Sequence, residues 1–208
     1  MTETLDLPLI LAAAFVAAAS PGPSNLAIAE TSMKRGRRAG LAFAAGVTTG
    51  GLAWSCAAAL GLGALMAANA WAFELVRWCG GAYLLFLAYR SARSALSRDE
   101  PKGRAPVSGD AGRLYLTGLG LHLTNPKAIL FFGSLYALGI GPGAAPGVLL
   151  TVIAAVGVQS ALIFHGYALL FSNARIARGY ARLRRWLEAA FALAFGAASL
   201  KVLTARLT

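Results

Sequence analysis

Two helix breakers interrupt long apolar stretches of this chain, and they carry the polar side chains best suited to chemistry. The first is residues 20–25 (Ser-Pro-Gly-Pro-Ser-Asn), and the second is residues 123–127 (Leu-Thr-Asn-Pro-Lys). A proline inside a helix removes one backbone hydrogen bond and leaves the carbonyl one turn earlier without a donor. Asn125-Pro126 is also the pattern of an N-cap followed by the first residue of a new helix. We therefore predict a broken helix at each place, with freed backbone groups available to a ligand.

Lys127 ends the second breaker and carries the only formal charge between residues 114 and 174. A cation at the centre of a membrane span costs about 3 kcal/mol on insertion scales, and the start of a helix disfavours it further. Glu30 lies about 13 Å along a helix from the first break, and Glu74 and Glu188 are expected near the membrane surfaces. We hypothesise that the anion Lys127 needs is a substrate carboxylate. The alternative is that Lys127 binds carbonyls freed by the prolines.

The composition places these breakers in a membrane protein. Of the 208 residues, 58% are hydrophobic and 13% are charged, and the mean hydropathy is +0.64. Soluble domains have about 25% charged residues, so an ordinary water-soluble globule is excluded, and disorder requires the opposite balance. Uncharged runs of 18 or more residues recur, which is typical of transmembrane helices. We predict an all-α membrane protein with six transmembrane helices, at roughly residues 7–33, 39–66, 70–94, 113–138, 145–173 and 185–206.

The formal net charge of +11 indicates membrane orientation rather than a nucleic-acid partner. Of the 19 lysines and arginines, 15 lie in the first, third and fifth connectors, whereas the second and fourth connectors have none. The positive-inside rule places the three basic connectors in the cytoplasm. We therefore expect a multi-pass protein surrounded by membrane lipid, with both termini outside.

The one long polar connector divides the chain into two halves of three spans each. We predict a first repeat at residues 1–95, a cytoplasmic linker at 96–112 and a second repeat at 113–208. An odd number of spans per half gives the halves opposite orientations, which is the topology of an inverted repeat. Each half then has a broken first helix, and paired breaks at matching depth point to a binding site. The alternative is that both breaks are kinks that improve packing.

These considerations define a set of candidate site residues. The predicted substrate-binding residues are Pro21, Gly22, Pro23, Ser24, Asn25, Thr124, Asn125, Pro126, Lys127 and Gln159. Gln159 and Ser160 either line a cavity or bond a neighbouring helix. His165 and Glu30 are candidates for proton coupling, because histidine titrates near neutrality; the alternative for His165 is a structural hydrogen bond.

Other motifs predict packing rather than chemistry. We interpret Gly46–Gly50, a GxxxG pair, as a helix-packing notch, and Cys56 and Cys79 as small packing residues. No Walker A loop and no metal-ligand spacing occur in the sequence. We therefore predict no cofactor and no metal, and we do not expect an enzyme.

Several segments resemble one family of membrane proteins. Residues 20–25 and 35–40 resemble the opening of the lysine-exporter (LysE) superfamily, and its homoserine/threonine efflux (RhtB-type) branch in particular. Residues 80–88 and 123–128 are similar to the third and fourth helices of that branch, and residues 166–168 to its fifth. The resemblance extends over nearly the whole chain in order.

The resemblance implies a six-helix exporter that moves amino acids or their derivatives out of a bacterial cytoplasm. It also implies residence in the inner membrane and coupling to the proton-motive force, with the two breakers as site residues. Many relatives carry an acidic residue in the fifth helix, near the positions where this chain has Gln159 and Ser160. The absence of an acid at these positions implies a difference in either the substrate or the coupling.

We therefore predict a secondary active amino-acid exporter that works by alternating access, and we expect a homodimer. One alternative is a passive channel. A flux that saturates with substrate and depends on a proton gradient would distinguish an exporter from such a channel. Another is a membrane redox carrier of the same superfamily plan, which would need a cysteine pair near the breaks.

Overall fold

The computed structural model describes residues 6–68, 70–97, 109–125, 127–128, 131–132, 135 and 144–204. Its regular structure in these ranges is helical, in agreement with the predicted all-α class. The helices are α1 (Leu7–Ala19), α2 (Pro23–Arg35), α3 (Arg37–Ala68), α4 (Ala70–Leu96), α5 (Ala111–Leu123), α6 (Pro146–Phe171) and α7 (Ala174–Thr204). Residues 127–128, 131–132 and 135 are also helical.

Two of the described helices are long and apolar enough to cross a membrane. They are Arg37–Gly61 and Pro146–Phe171, and a third span results when α1 and α2, which are bent by 51°, are counted as one broken span. Part of the fourth expected span lies outside the described residues. The count of six spans therefore stays a prediction.

The predicted fifth connector, between the spans at residues 145–173 and 185–206, is largely helical, because α7 begins at Ala174. The basic residues of this region consequently form the first turns of a helix. The first connector, in contrast, is very short: Gly36 separates α2 from α3 with a φ of 83°, a conformation that glycine adopts without the strain of a Cβ.

Packing between the two predicted halves dominates the fold. The three most extensive interfaces join α4 to α7, α3 to α5 and α3 to α6, and each of them joins one half to the other. One apolar core contains Ile10, Leu84, Leu135 and Val152, and a second contains Ile28, Phe43, Leu114 and Phe164. Each core therefore draws on residues from both sides of the linker.

The predicted glycine notch is present where α3 crosses α5. A Cβ on Gly46 would lie 2.0 Å from the carbonyl oxygen of Tyr115, and one on Gly118 would lie 2.3 Å from that of Phe43. Only glycine permits backbones to approach this closely, so the packing interpretation of Gly46–Gly50 is confirmed.

The outward faces of α6 and of the C-terminal half of α7 carry exposed apolar side chains. Leu150, Leu162 and Leu193 are among them. A surface of this kind is unfavourable in water and is what a helix facing lipid presents.

Candidate functional site

The first breaker ends α1, and side chains bind the carbonyls that the break leaves without helical partners. The last carbonyls of a helix have no donor within it. Here Ser20 Oγ donates to Ala17 O (3.1 Å), and Tyr167 Oη on α6 donates to Ala19 O (2.7 Å). Asn25 Nδ2 donates to Ala18 O (2.7 Å) and to Ser20 O (3.1 Å). The carbonyls at the end of α1 are therefore bound by side chains.

The second breaker begins a new helical segment as predicted. Asn125 Oδ1 accepts a hydrogen bond from the backbone N–H of Lys127 (3.0 Å), and the Asn125 carbonyl accepts one from Ala128 N (2.9 Å). This is N-cap geometry. Pro126 lies outside the described residues.

The two breakers contact each other across α2 and α5. Ser24 Oγ bonds His122 Nδ1 (2.9 Å), and Asn125 Nδ2 donates to Ser24 Oγ (3.2 Å). Lys127 Nζ donates to Ser20 O (3.1 Å) and also to Ser20 Oγ. Lys127 thus binds a carbonyl at the first break, which is the alternative that the sequence left open.

Gly22 provides the space that brings Lys127 to the first breaker. A Cβ on Gly22 would lie 3.2 Å from both Cδ and Nζ of Lys127. A larger residue at position 22 would therefore push the ammonium away from Ser20.

Two cavities adjoin Lys127, and both include Lys127 and Gly22 in their walls. The first, here called the chamber, has a volume of about 40 Å³ and is lined mainly by alanine and phenylalanine, with Ser24, Asn25, His122, Asn125 and Ser160 as polar members. The second, here called the vestibule, has a volume of about 300 Å³. Its polar and charged lining residues are Ser20, Glu30, Arg90, Ser91, Ser94 and Glu188.

The described substrate-binding candidates divide between these cavities, with Thr124 and Gln159 as exceptions. Pro21 and Pro23 line the vestibule. Thr124 is exposed and donates to Gly120 O (2.8 Å). Gln159 Nε2 donates to Leu11 O (3.1 Å), so Gln159 bonds a neighbouring helix, whereas Ser160 lines the chamber.

The two coupling candidates have different surroundings. Glu30 lines the vestibule and forms an ion pair with Lys34 (2.6 Å). His165 Nδ1 lies 2.8 Å from the carbonyl oxygen of Ala161 on its own helix. Their role in coupling stays a prediction.

Sequence reasoning missed several residues that the structure brings to Lys127. Ser20 is the first residue of the first breaker, and His122 directly precedes the second; their polar side chains close to a proline were the available signal. Glu188, which was expected near a membrane surface, is buried within the protein, with 5% exposure, and lines the vestibule with Arg90. No sequence pattern indicated that Glu188 and Arg90 would face one cavity.

The described residues contain no cluster of side chains suited to a metal ion. Cys56 and Cys79 are exposed free thiols, and neither lines the chamber or the vestibule. The cysteine pair near the breaks that a redox carrier needs is therefore missing from the part of the chain that the structure describes.

Comparison with known proteins agrees with the resemblance seen in the motifs. The family model described as "LysE type translocator" matches residues 15–206. The threonine efflux protein of Escherichia coli (strain K12) is 33% identical over 175 residues, which cover 83% of this chain and 85% of that protein. The homoserine/homoserine lactone efflux protein of Salmonella typhimurium is 33% identical over 59% of each chain. No solved structure matches. The chain therefore belongs to the family of LysE type translocators.

Proposed function

We propose that this protein is a secondary active exporter of amino acids or their derivatives in the bacterial cytoplasmic membrane. The observation that carries the proposal is the position of Lys127: its ammonium lies between two cavities, bonds Ser20 and forms no ion pair with any described residue. The names of the threonine and homoserine efflux relatives support an amino-acid substrate.

The substrate carboxylate takes the place of Ser20 at the Lys127 ammonium. Gly22, the N-cap of α2, has no side chain to bind the first N–H groups of that helix. These groups and the positive end of the helix dipole are suited to an anion. The vestibule volume of about 300 Å³ is at the lower end of the range of about 300–1,000 Å³ for ligand pockets, which suits a small substrate.

The vestibule is the cytoplasmic entrance in this proposal. Glu30 lies one turn before Lys34 in the first basic connector, and Arg90 begins the third. The positive-inside rule places that end in the cytoplasm, with both termini outside. Since the chamber beyond Lys127 has a volume of about 40 Å³, it has to widen before a substrate leaves.

Alternating access arises from movement of residues 1–95 against residues 113–208. The pattern of interfaces supports a six-helix inverted repeat, because exchanging the halves turns the α3–α5 pair into the α6–α1 pair. The α4–α7 and α3–α6 pairs map onto themselves under the same exchange, and all four pairs of helices are in contact. Rocking of such halves about a central site is a common transporter mechanism, and coupling to the proton gradient through Glu30 or His165 completes the proposal.

Counterflow of radiolabelled amino acids in proteoliposomes tests this function. Lys127→Gln and Lys127→Met are expected to weaken substrate affinity by about tenfold or more, because a buried charge partner of the carboxylate is lost. Arg178→Gln, which changes an exposed cation on α7, is the matched control and should retain wild-type affinity.

Wild-type affinity in both Lys127 variants would overturn the proposal. Flux that saturates with substrate and depends on a proton gradient supports a secondary exporter. Flux that rises linearly and ignores the gradient would favour the passive channel.

A further inference from the structure

Glu188 on α7 is a buried carboxylate with little to stabilise its charge. Its side chain lines the vestibule, and Ser94 Oγ on α4 donates a hydrogen bond to Oε1 (2.9 Å). Across the described ranges, Oε2 receives no hydrogen bond and Glu188 forms no ion pair. Burying a carboxylate costs several kcal/mol unless hydrogen bonds and a counter-ion compensate. One serine hydroxyl compensates only part of that cost, so the buried carboxylate of Glu188 lacks a full set of partners among the described residues.

The charged residues near Glu188 have other contacts. Arg184, one turn earlier on α7, donates from Nη2 to Ser94 O (3.3 Å) and Ser94 Oγ (3.4 Å). Arg90 is an exposed side chain of the vestibule wall that lies over the Phe86 ring. The other vestibule carboxylate, Glu30, is paired with Lys34 at 2.6 Å. Of the two carboxylates in the vestibule wall, Glu188 is thus the one that lacks an ion pair.

Lys127 supplies the opposite charge in the same cavity. Both side chains line the vestibule, and they do not form an ion pair with each other. Apart from Arg90 and the Glu30–Lys34 pair, the charged groups of this cavity of about 300 Å³ are one ammonium and one carboxylate. Two opposite charges that line one cavity without forming an ion pair match a ligand that carries both charges itself.

We propose that Glu188 binds the α-ammonium group of the substrate while Lys127 binds its carboxylate. This assignment rests on the proposed export function and deepens it, because it names the recognised species as the zwitterion. A substrate analogue that has the carboxylate but not the amine would leave Glu188 buried without a partner. Sites discriminate strongly against analogues that leave a buried polar group without its partner. The specificity for amino acids over hydroxy acids thus comes from α7. The family resemblance, in contrast, drew attention to an acid in the fifth membrane span, which is α6 here.

Competition in the counterflow assay tests the assignment. The competitors are L-threonine and 2,3-dihydroxybutanoate, in which a hydroxyl group replaces the amine. Wild-type protein is expected to prefer threonine. Glu188→Gln should lower the affinity for threonine by about tenfold or more, as for other lost buried charge pairs, and leave the affinity for dihydroxybutanoate unchanged. Lys127→Met should weaken both.

Two further variants separate recognition from folding. Asp110→Asn changes an exposed carboxylate that lines neither cavity, retains a capping oxygen for α5, and should keep the preference for threonine. Glu188→Asp keeps the charge but shortens the side chain by one methylene, and it should lower the affinity for threonine alone. An equal loss of both competitors in Glu188→Gln, or a retained threonine preference, would overturn the assignment. If wild-type protein exchanges no amino acid at all, the proposed function itself fails.

Discussion

The chamber and the vestibule share Lys127 and Gly22 but differ in size and in the chemistry of their walls. The chamber, at about 40 Å³, has room for a few water molecules at most, and its described polar side chains are formally neutral apart from Lys127 itself. The vestibule, at about 300 Å³, adds Glu30, Arg90 and Glu188. A zwitterion therefore finds partners for both of its charges on one side of Lys127 only.

This difference assigns separate tasks to the two cavities. Lys127 and Glu188, whose charges are costly within a membrane, both line the vestibule, where a zwitterionic substrate can neutralise them. The other side is closed by alanine, phenylalanine and a hydrogen-bonded group formed by Ser24, His122 and Asn125. We infer that the vestibule selects the substrate and that the chamber acts as the closed gate in this conformation.

Forcing α3 and α5 apart should have the largest effect. Gly46→Leu places a side chain where even a Cβ would lie 2.0 Å from Tyr115 O. We expect a loss of about 3 kcal/mol in the free energy of unfolding, or about 10 °C in Tm for a chain of this size. Thermal unfolding in detergent measures it. Gly120→Leu on α5, where a Cβ has open space, is the control, and an equal Tm for both variants would contradict the close crossing.

Thiol labelling should distinguish the open cavity from the closed one. With Cys56 and Cys79 replaced by serine, Ala27→Cys reports on the vestibule and Ala14→Cys on the chamber. From the cytoplasmic side, labelling of Ala14→Cys should be about a hundredfold slower than labelling of Ala27→Cys. The chamber has to open before the reagent reaches position 14, and this opening costs about 3 kcal/mol. Similar rates with an impermeant maleimide would show that the chamber is not closed.

Removing the cap of the second breaker should weaken the chamber wall. Asn125→Ala loses the bond to Lys127 N and the bond to Ser24 Oγ. We expect a cost of about 2 kcal/mol, of which the N-cap contributes about 1 kcal/mol, and a fall in Tm of about 6 °C. Asn125→Ser preserves a capping oxygen and should lose about half as much. A Tm that does not change in Asn125→Ala would argue against the cap.

The smallest effect is expected at the end of α1. Tyr167→Phe removes the donor to Ala19 O, which should cost about 1 kcal/mol and about 3 °C in Tm. Tyr89→Phe changes an exposed tyrosine of α4 and should leave the Tm unchanged. If the two variants behave alike, the hydrogen bond from Tyr167 does not stabilise the break.

Local features of the site were predictable because their causes are local. Asn125-Pro126 predicts an N-cap since proline and the capping amide act within three residues, and the cap is present. The glycine notch was predictable for the same reason. Glu188 was not, because the predicted membrane span began at residue 185 and therefore placed it near a membrane surface. The helix itself begins at Ala174, so Glu188 lies about four turns inside it, and Ser94 on α4 donates to its carboxylate.

The amino-acid sequence by itself determined the helical class, the apolar stretches, the two breaks and the family, because these depend on composition and on short patterns. Tertiary structure alone decided which polar groups meet: Lys127 with Ser20, Ser24 with His122, and Glu188 with the cavity that Lys127 also lines. Ser20 and Lys127 are 107 residues apart along the chain, and Ser24 and His122 are 98 residues apart. Only the packing of α4 on α7 and of α2 near α5 brings such distant residues together. The reason is physical: periodicity specifies that a helix has a buried face, but the partner of that face depends on all the other helices.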